Sequence, residues 1–360
     1  MREAVIEIIN FKSSQVAGII VDMFCVNMID VAVEFKIPSN VLFPSCAGFL
    51  AVMLQVQVIT DEFKQDITEY KDTDKELLIP GFLNQVPAKV LPTGMLDKHG
   101  TLDLDVATAR RFRESKGIIV NTFMELETNA IKSMLSDGKI PPVFPVGPVI
   151  NLKQNPDEDE GIRSWLDNQP TSSVVFLCFG SWGSFKKEQV NEIALALERS
   201  GYRILWSLRR PPMDVDFSSF LERTSGVGKV IGWARQLAVL SHPAVGGFIS
   251  QCGWNSILES LWFGVPIASW PMYAEQHFNA FEMVVEFGMA VDINMDSKII
   301  VTCEEIERGI RQLMNGNEIR KKVKEMKEKS HTTLMEHGSS YNFLGRLIDG
   351  IMHSSISSGT

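Results

Sequence analysis

The sequence predicts an α/β protein of doubly wound parallel sheets, organised as two Rossmann-like domains. Largely apolar runs of strand length recur at Ala17–Val21, Ser173–Phe179 and Ala244–Ser250, as in strands buried on both faces. Two of these runs lead through a glycine-containing turn into a helix: GSWGS before Lys187–Ser200, and Cys252-Gly253 before Trp254-Asn255-Ser256. The chain has 360 residues, long enough for two domains that each bury a sizeable core.

Taken in order, Met1–Ile9 reads as an amphipathic helix with Val5, Ile8 and Ile9 on one side. Ala17–Val21 is a buried strand ending at Asp22, followed by a helix over Phe24–Phe35. An acid at the carboxyl end of a parallel strand sits where such sheets place their chemistry, but it also suits the N-cap of the next helix. Ser39–Phe43 is the next strand and Ala47–Gln57 a helix, while the proline-punctuated Thr60–Leu96 gives loops and short helices. Gly117–Val120 is a strand and Thr122–Leu135 a helix. Pro141–Pro148 is rigid and extended, which excludes a central strand; with the acidic Asn155–Gly161 it is expected to link two domains. Lys187–Ser200 places Val190, Ile193 and Leu197 on one helix face, and Arg203–Leu208 is a strand. Val265–Trp270 is a strand, Val284–Val291 a helix–strand step, Glu304–Lys329 charged helices and Tyr341–His353 a final helix. The expected domains are 1–149, a linker at 150–162, 163–340, the helix at 341–353 and a tail at 354–360.

Composition is that of an ordinary globular protein, 45% hydrophobic and 22% charged. The net charge of −9 and pI near 5.3 argue against a nucleic-acid partner. Five cysteines without a CxxC pair suit free thiols in a reducing compartment. The most apolar run, Phe49–Ile59, is broken by Gln55 and Gln57 and is too short to span a bilayer. With no signal-like start and a polar HSSISSGT end, the expectation is a cytoplasmic protein with no membrane partner. No HExxH or histidine cluster points to a metal.

The stretch Trp233–Gln276, WARQLAVLSHPAVGGFISQCGWNSILESLWFGVPIASWPMYAEQ, holds the densest set of candidate groups. It runs strand, turn, helix N-terminus, strand, polar loop, which places its polar residues at strand carboxyl ends. Asn255 or Ser256 suits the helix N-cap, and a helix start preceded by glycine is a seat for a phosphate. Trp262 and Trp270 read as core. His242, before Pro243, reads as a capping or loop histidine, and His277 as an exposed one. The GSWGS turn is neither a Walker loop nor a full dinucleotide fingerprint.

Tryptophan at the start, CGWNS in the middle, ES three residues on, then WP and EQ: these residues resemble the signature box of the plant UDP-sugar-dependent glycosyltransferases of small molecules, glycosyltransferase family 1. VFLCFGS and GIIVNTFMELE extend the resemblance over essentially the whole chain. It implies a GT-B fold, two Rossmann-like domains facing each other across a cleft, with the final helix crossing back onto the first. It implies UDP-glucose as donor and co-substrate, with no cofactor, and a phenolic acceptor, flavonoid or anthocyanidin favoured. By resemblance, Trp233 stacks on uracil and the main chain of Ala234 pairs with it, while Gln236 and Glu259 bind the ribose. Asn255, Ser256 and the backbone at Trp254 meet the phosphates, with Ser181 and Ser184 on the other wall. Ala274, Glu275 and Gln276 line the sugar end, and Gln251 holds a phosphate-side position. Asp22 matches the aspartate that orients the catalytic histidine. The reaction implied is an inverting displacement at the anomeric carbon.

The chain also departs from that pattern. Relatives begin roughly a hundred residues earlier, so the base histidine is expected to be missing and the first sheet to lack its initial strands. His99, in the loop-like LDKHG, is not expected to replace it. Gln251 stands where a phosphate-binding histidine is usual, Arg235 where proline is, and Pro44 where threonine is. The rival expectation is therefore a catalytically incomplete nucleotide-sugar binder. A dinucleotide oxidoreductase is disfavoured, because GSWGS lacks a third glycine and no acid follows at the required distance.

Overall fold

A computed structural model of the chain describes residues 3, 6–7, 16–152, 160–209 and 218–357. The expected helix over residues 1–9 and most of the acidic stretch 155–161 lie outside them. Two compact units result, Met1–Val149 with Ser330–Thr360, and Ile150–Lys329. The boundary thus falls between Lys329 and Ser330, whereas the sequence reading placed it at 340/341.

The first unit carries β1 (Ile19–Asp22), β2 (Ser39–Phe43), the short antiparallel pair β3 (Glu76–Leu77) and β4 (Val86–Pro87), β5 (Ile118–Val120) and β6 (Val143–Pro145). Its main sheet is parallel, in the order β1-β2-β5-β6, with Asp22 opposite Leu42 and Phe43 opposite Val120. β6 is an edge strand, so the Pro141–Pro148 stretch contributes to the sheet as well as leaving it; a proline at an edge removes no ladder hydrogen bond. The helix Ala47–Asp61 is apolar all round and accordingly buried along most of its length. A helix the sequence reading passed over, Leu102–Glu114, packs Phe112 edge-on against Phe43, with ring centroids 5.8 Å apart. Its first turn carries Asp103 and Asp105 and its last turn Arg111 and Arg113, which complements the helix dipole. Arg110 grips Asp61 through two hydrogen bonds of 2.8 and 2.6 Å and, with Gln57, holds that carboxyl well below the usual range. The expected helix over Phe24–Phe35 is instead a 3-10 turn, Met23–Cys25, and a shorter helix, Met28–Glu34. That over Thr122–Leu135 starts only at Thr128, because residues 121–127 are spent on a turn. The final helix, Ser339–Ser357, buries Phe343 and Leu347 and donates from Ser340 Oγ to Gly147 O at 2.6 Å.

The second unit is a six-stranded parallel sheet: β7 (Val174–Cys178), β8 (Arg203–Ser207), β9 (Gly228–Ile231), β10 (Val245–Ser250), β11 (Ile267–Ser269) and β12 (Ala290–Asp292). The order is β12-β11-β10-β7-β8-β9. The chain enters at the centre, works outward to β9, then returns to β10 and works outward the other way. The adjacent β7 and β10 therefore form the switch point, where their following loops part to opposite faces and leave a crevice. Across this pair, Phe176 stacks on Phe248 at 5.2 Å. Trp270 packs with Phe179 and Phe185 in the core. Trp262, read as core, is only partly buried. The helix Cys303–Asn315 starts in a capping box: Thr302 Oγ1 accepts from Glu305 N, and Glu305 accepts from Thr302 N. Thr302→Ala is expected to cost about 1 kcal/mol in urea denaturation.

All five cysteines are free thiols. No helix among the described residues is long and apolar enough to cross a membrane.

Candidate functional site

The loops after β7, β10 and β11 meet at the switch point of the second unit. Gly180 follows β7 at φ +70°, and a Cβ there would lie 2.5 Å from Gln251 Nε2 and 3.8 Å from the Tyr273 hydroxyl. The turn after β7 thus packs directly on side chains from the other two loops. Gln251 is 6% exposed and accepts at Oε1 from Ser250 Oγ. Cys252 adopts φ +61°, in a turn pinned by its N–H donating to Ser250 Oγ and by Asn279 Nδ2 donating to its carbonyl. Ala274 is likewise left-handed, at φ +54°. Non-glycine residues held in this region mark turns that the surroundings over-determine, and such turns cluster at functional sites. Burial pushes the Cys252 thiol up to about 12, so it is packing and not a nucleophile.

The helix Trp254–Phe263 starts at this crevice, with Gly253 as N-cap and no side-chain cap. The N-cap thus lies two residues before Asn255 and three before Ser256, the positions expected for it; those residues occupy the first turn. Trp254 is buried to 3% exposure, so only its backbone borders the crevice. Asn255 is exposed and Ser256 buried.

Four residues on, Glu259 meets the helix Gln236–Leu240. Gln236 Nε2 donates to Glu259 Oε2 at 2.7 Å and to Ser256 Oγ at 2.9 Å. The cluster needs both helices: Ser256 and Glu259 share a face by their i, i+3 spacing, and Gln236 stands at the start of the other helix. Burial raises the Glu259 carboxyl above the usual range, against the hydrogen bond from Gln236, which lowers it. Trp233, 53% exposed, sits beside this cluster in sequence with its indole open, while Ala234 is buried. A flat exposed ring next to a carboxylate–amide pair can take a base and a diol.

The sign of the Glu259 shift gives a prediction. A carboxylate accepts from two vicinal hydroxyls only when ionised, and its raised pKa means it protonates at higher pH than an ordinary glutamate. Uridine, which carries no phosphate to titrate, should bind progressively less well as pH falls through that raised value. Gln236→Leu should move the midpoint further up, since it removes the lowering hydrogen bond. Calorimetric titration of uridine between pH 8 and 4 measures both.

After β11, Gln276 is buried and its Oε1 accepts from Met272 N and Tyr273 N, at 3.0 and 3.1 Å. Its carbonyl is spent on the turn, and the amide N–H group is the donor it can offer a ligand. Glu275 is half-buried, and Ser181 and Ser184 are exposed on the β7 turn. His277, expected to be exposed, is partly buried, with its pKa lowered by burial and Nε2 2.7 Å from Ser297 Oγ. His242 is a loop-capping residue: Nδ1 accepts from Ala244 N and Nε2 lies 3.1 Å from Asp167. The sequence reading missed Tyr273, Ser250 and Asn279, which contact the turns at Gly180, Gln251 and Cys252. Asn279 and Tyr273 have no sequence signal, because Cys252 and Gly180, which they approach, are brought near only by the fold.

In the first unit, Asp22 stands at the carboxyl end of β1 and its Oδ1 accepts from Phe24 N at 2.9 Å, capping the 3-10 turn. His99 is exposed in a loop, with its N–H bound to Asp97 Oδ1.

The family model for UDP-glucoronosyl and UDP-glucosyl transferase matches residues 125–335. A putative UDP-glucose flavonoid 3-O-glucosyltransferase 3 of Fragaria ananassa is 51% identical over 370-odd aligned positions (379 residues), covering 98% of this chain and 79% of the relative. Among solved structures, a ugt transferase from Siraitia grosvenorii in complex with UDP superposes with a TM-score of 0.91 at 48% identity, covering 98% of this chain and 81% of that one. UGT71G1 of Medicago truncatula, complexed with UDP-glucose, gives 0.89 at 45% identity, covering 98% and 79%. The fold is that of the GT-B plant enzymes, and the chain belongs to the UDP-glucoronosyl and UDP-glucosyl transferase family, as a plant-type UDP-glycosyltransferase.

Proposed function

We propose that this chain binds UDP-glucose in the second unit and serves transfer of glucose to a hydroxyl of a phenolic small molecule of flavonoid type. The observation that carries the reading is the Gln236–Ser256–Glu259 cluster, with the exposed indole of Trp233 three residues before it in the chain, on the loops of the six-stranded sheet. In this reading Trp233 and the Ala234 backbone take uracil, and Gln236 and Glu259 the ribose. The pyrophosphate lies at the start of the Trp254 helix, against Asn255, Ser256, Gln251, Ser181 and Ser184. Glu275, Gln276 and the Ala274 turn hold the glucose. The acceptor oxygen attacks the anomeric carbon as the bond to UDP breaks; the acceptor loses its proton to a base and UDP leaves with the electron pair. N–H groups at a helix start favour the charge that grows on the leaving phosphate. No cofactor or metal enters this reading, so EDTA should leave transfer unchanged. The flavonoid-glucosyltransferase name of the Fragaria relative and the UDP-glucose bound to the Medicago protein support the choice of substrates.

A second reading, a nucleotide-sugar binder without turnover, is favoured by one observation: Asp22 spends an oxygen on capping its own turn. Calorimetry with UDP-glucose followed by a glucoside assay on flavonols separates the two. Binding with glucoside release supports the transferase, binding alone supports the second reading, and no binding overturns both.

A further inference from the structure

In the first unit, a second helix N-terminus sits at the carboxyl end of a parallel strand, where an open α/β sheet seats the anionic group of a ligand. It belongs to the helix Ala47–Asp61, which follows β2 through the turn Pro44–Cys46. This seat is already filled by the chain itself. Glu127, 2% exposed and some eighty residues away, accepts from Gly48 N at Oε1 (2.6 Å) and from Ala47 N at Oε2 (3.0 Å). Each oxygen takes one N–H, the arrangement of an ionised carboxylate. Cys46 Sγ accepts the next donor, Phe49 N, at 3.3 Å. The filled turn lies two residues past Leu42, the partner of Asp22 across the β1–β2 ladder. Glu127 itself ends the 121–127 segment that leaves β5, the strand on the other side of β2. One buried carboxylate thus ties the ends of β2 and β5 together where the first unit would meet a ligand.

We propose that Glu127 is a positioning residue for the acceptor. Seated on this helix start, it fixes the Pro44–Cys46 turn beside Asp22 and denies the positive helix end to any anionic group of the acceptor, which selects uncharged phenols. This rests on the proposed function, which seats the donor in the second unit, and takes the acceptor to lie at the first. A buried anion bonded to two backbone donors is replaced by no solvent arrangement of equal strength, so its loss should loosen the turn.

The test uses the full chain, with Glu127→Gln and Glu127→Ala, and para-hydroxybenzyl alcohol and para-hydroxybenzoate as neutral and anionic probes. In Glu127→Gln, one oxygen still accepts while the amide N–H group opposes the other backbone N–H. Its dissociation constant for the neutral phenol should rise about tenfold, with UDP affinity unchanged within about twofold, the scale of one charge-assisted hydrogen bond. A merely structural effect would weaken both ligands in proportion to the unfolded fraction. Glu127→Ala vacates the seat, so added sodium formate should raise its melting temperature and recover neutral-phenol binding, with no effect on the wild-type chain. Without formate, the same variant should narrow the discrimination against para-hydroxybenzoate about tenfold. If wild type binds neither phenol, the acceptor assignment falls and this inference with it. If wild type prefers the neutral phenol and both variants bind the two probes as wild type does, or formate restores nothing, the inference alone is overturned. Should Glu127→Ala fail to fold, the Glu127→Gln affinities decide.

Discussion

Glu259→Ala is expected to weaken UDP binding by about a hundredfold or more, which corresponds to about 3 kcal/mol. The size follows from what alanine leaves behind. Gln236 Nε2, now shared between Glu259 Oε2 and Ser256 Oγ, loses its charged partner, and the ribose hydroxyls lose an ionised acceptor in a half-buried place. The fold should survive, because Glu259 lies on the crevice side of its helix while Ile257, Leu258 and Leu261 hold the helix to the core. Calorimetry with UDP measures the loss, and circular dichroism confirms that the helix content stands. UDP affinity retained within a few-fold would remove Glu259 from the site. Glu259→Gln should fall between wild type and Glu259→Ala, since an amide keeps one accepting oxygen but carries no charge.

Gly183→Ala should be a severely damaging small change in the second unit. A Cβ at this position would lie 2.2 Å from Phe179 O and 2.5 Å from Phe179 Cβ. Those are atoms of a residue that cannot give way, since Phe179 packs edge-on against Phe185 at 4.6 Å and Trp270 at 5.7 Å. The GSWGS turn must therefore open, carrying Ser181 and Ser184 with it. The expected cost is about 3 kcal/mol of stability in urea denaturation, at the upper end for an overpacked site. UDP binding should weaken in the same variant. Gly201→Ala is the control: its φ of +73° is strained for alanine, but nothing lies within 4 Å of the added carbon. It should cost only about 1 kcal/mol and leave UDP affinity alone. Equal losses in the two variants would mean that backbone conformation, not the crowded turn, sets the effect.

The sequence alone determined the fold class and most strand positions, because strands buried on both faces read as largely apolar runs. Ser39–Phe43 is found as expected, and Val174–Cys178 and Val245–Ser250 lie within their expected runs. It also placed the family, since CGWNS, WP and EQ at their spacing are a local pattern that needs no three-dimensional information. Tertiary structure decided what depends on distant partners. The helix after β5 starts at Thr128 and not Thr122, because Glu127 is drawn to the N-terminus of another helix, a bond that no local propensity records. Capping of the Trp254 helix passed to Gly253, leaving Asn255 and Ser256 in the first turn. The pairing of Gln236 with Glu259 joins residues 23 positions apart, and the packing of Gly180 on Gln251 exists only because β7 and β10 are neighbours in the sheet. Residue types are set by sequence; which of their hydrogen bonds remain for a ligand is set by packing, since a buried donor or acceptor must find its partner wherever the fold supplies one.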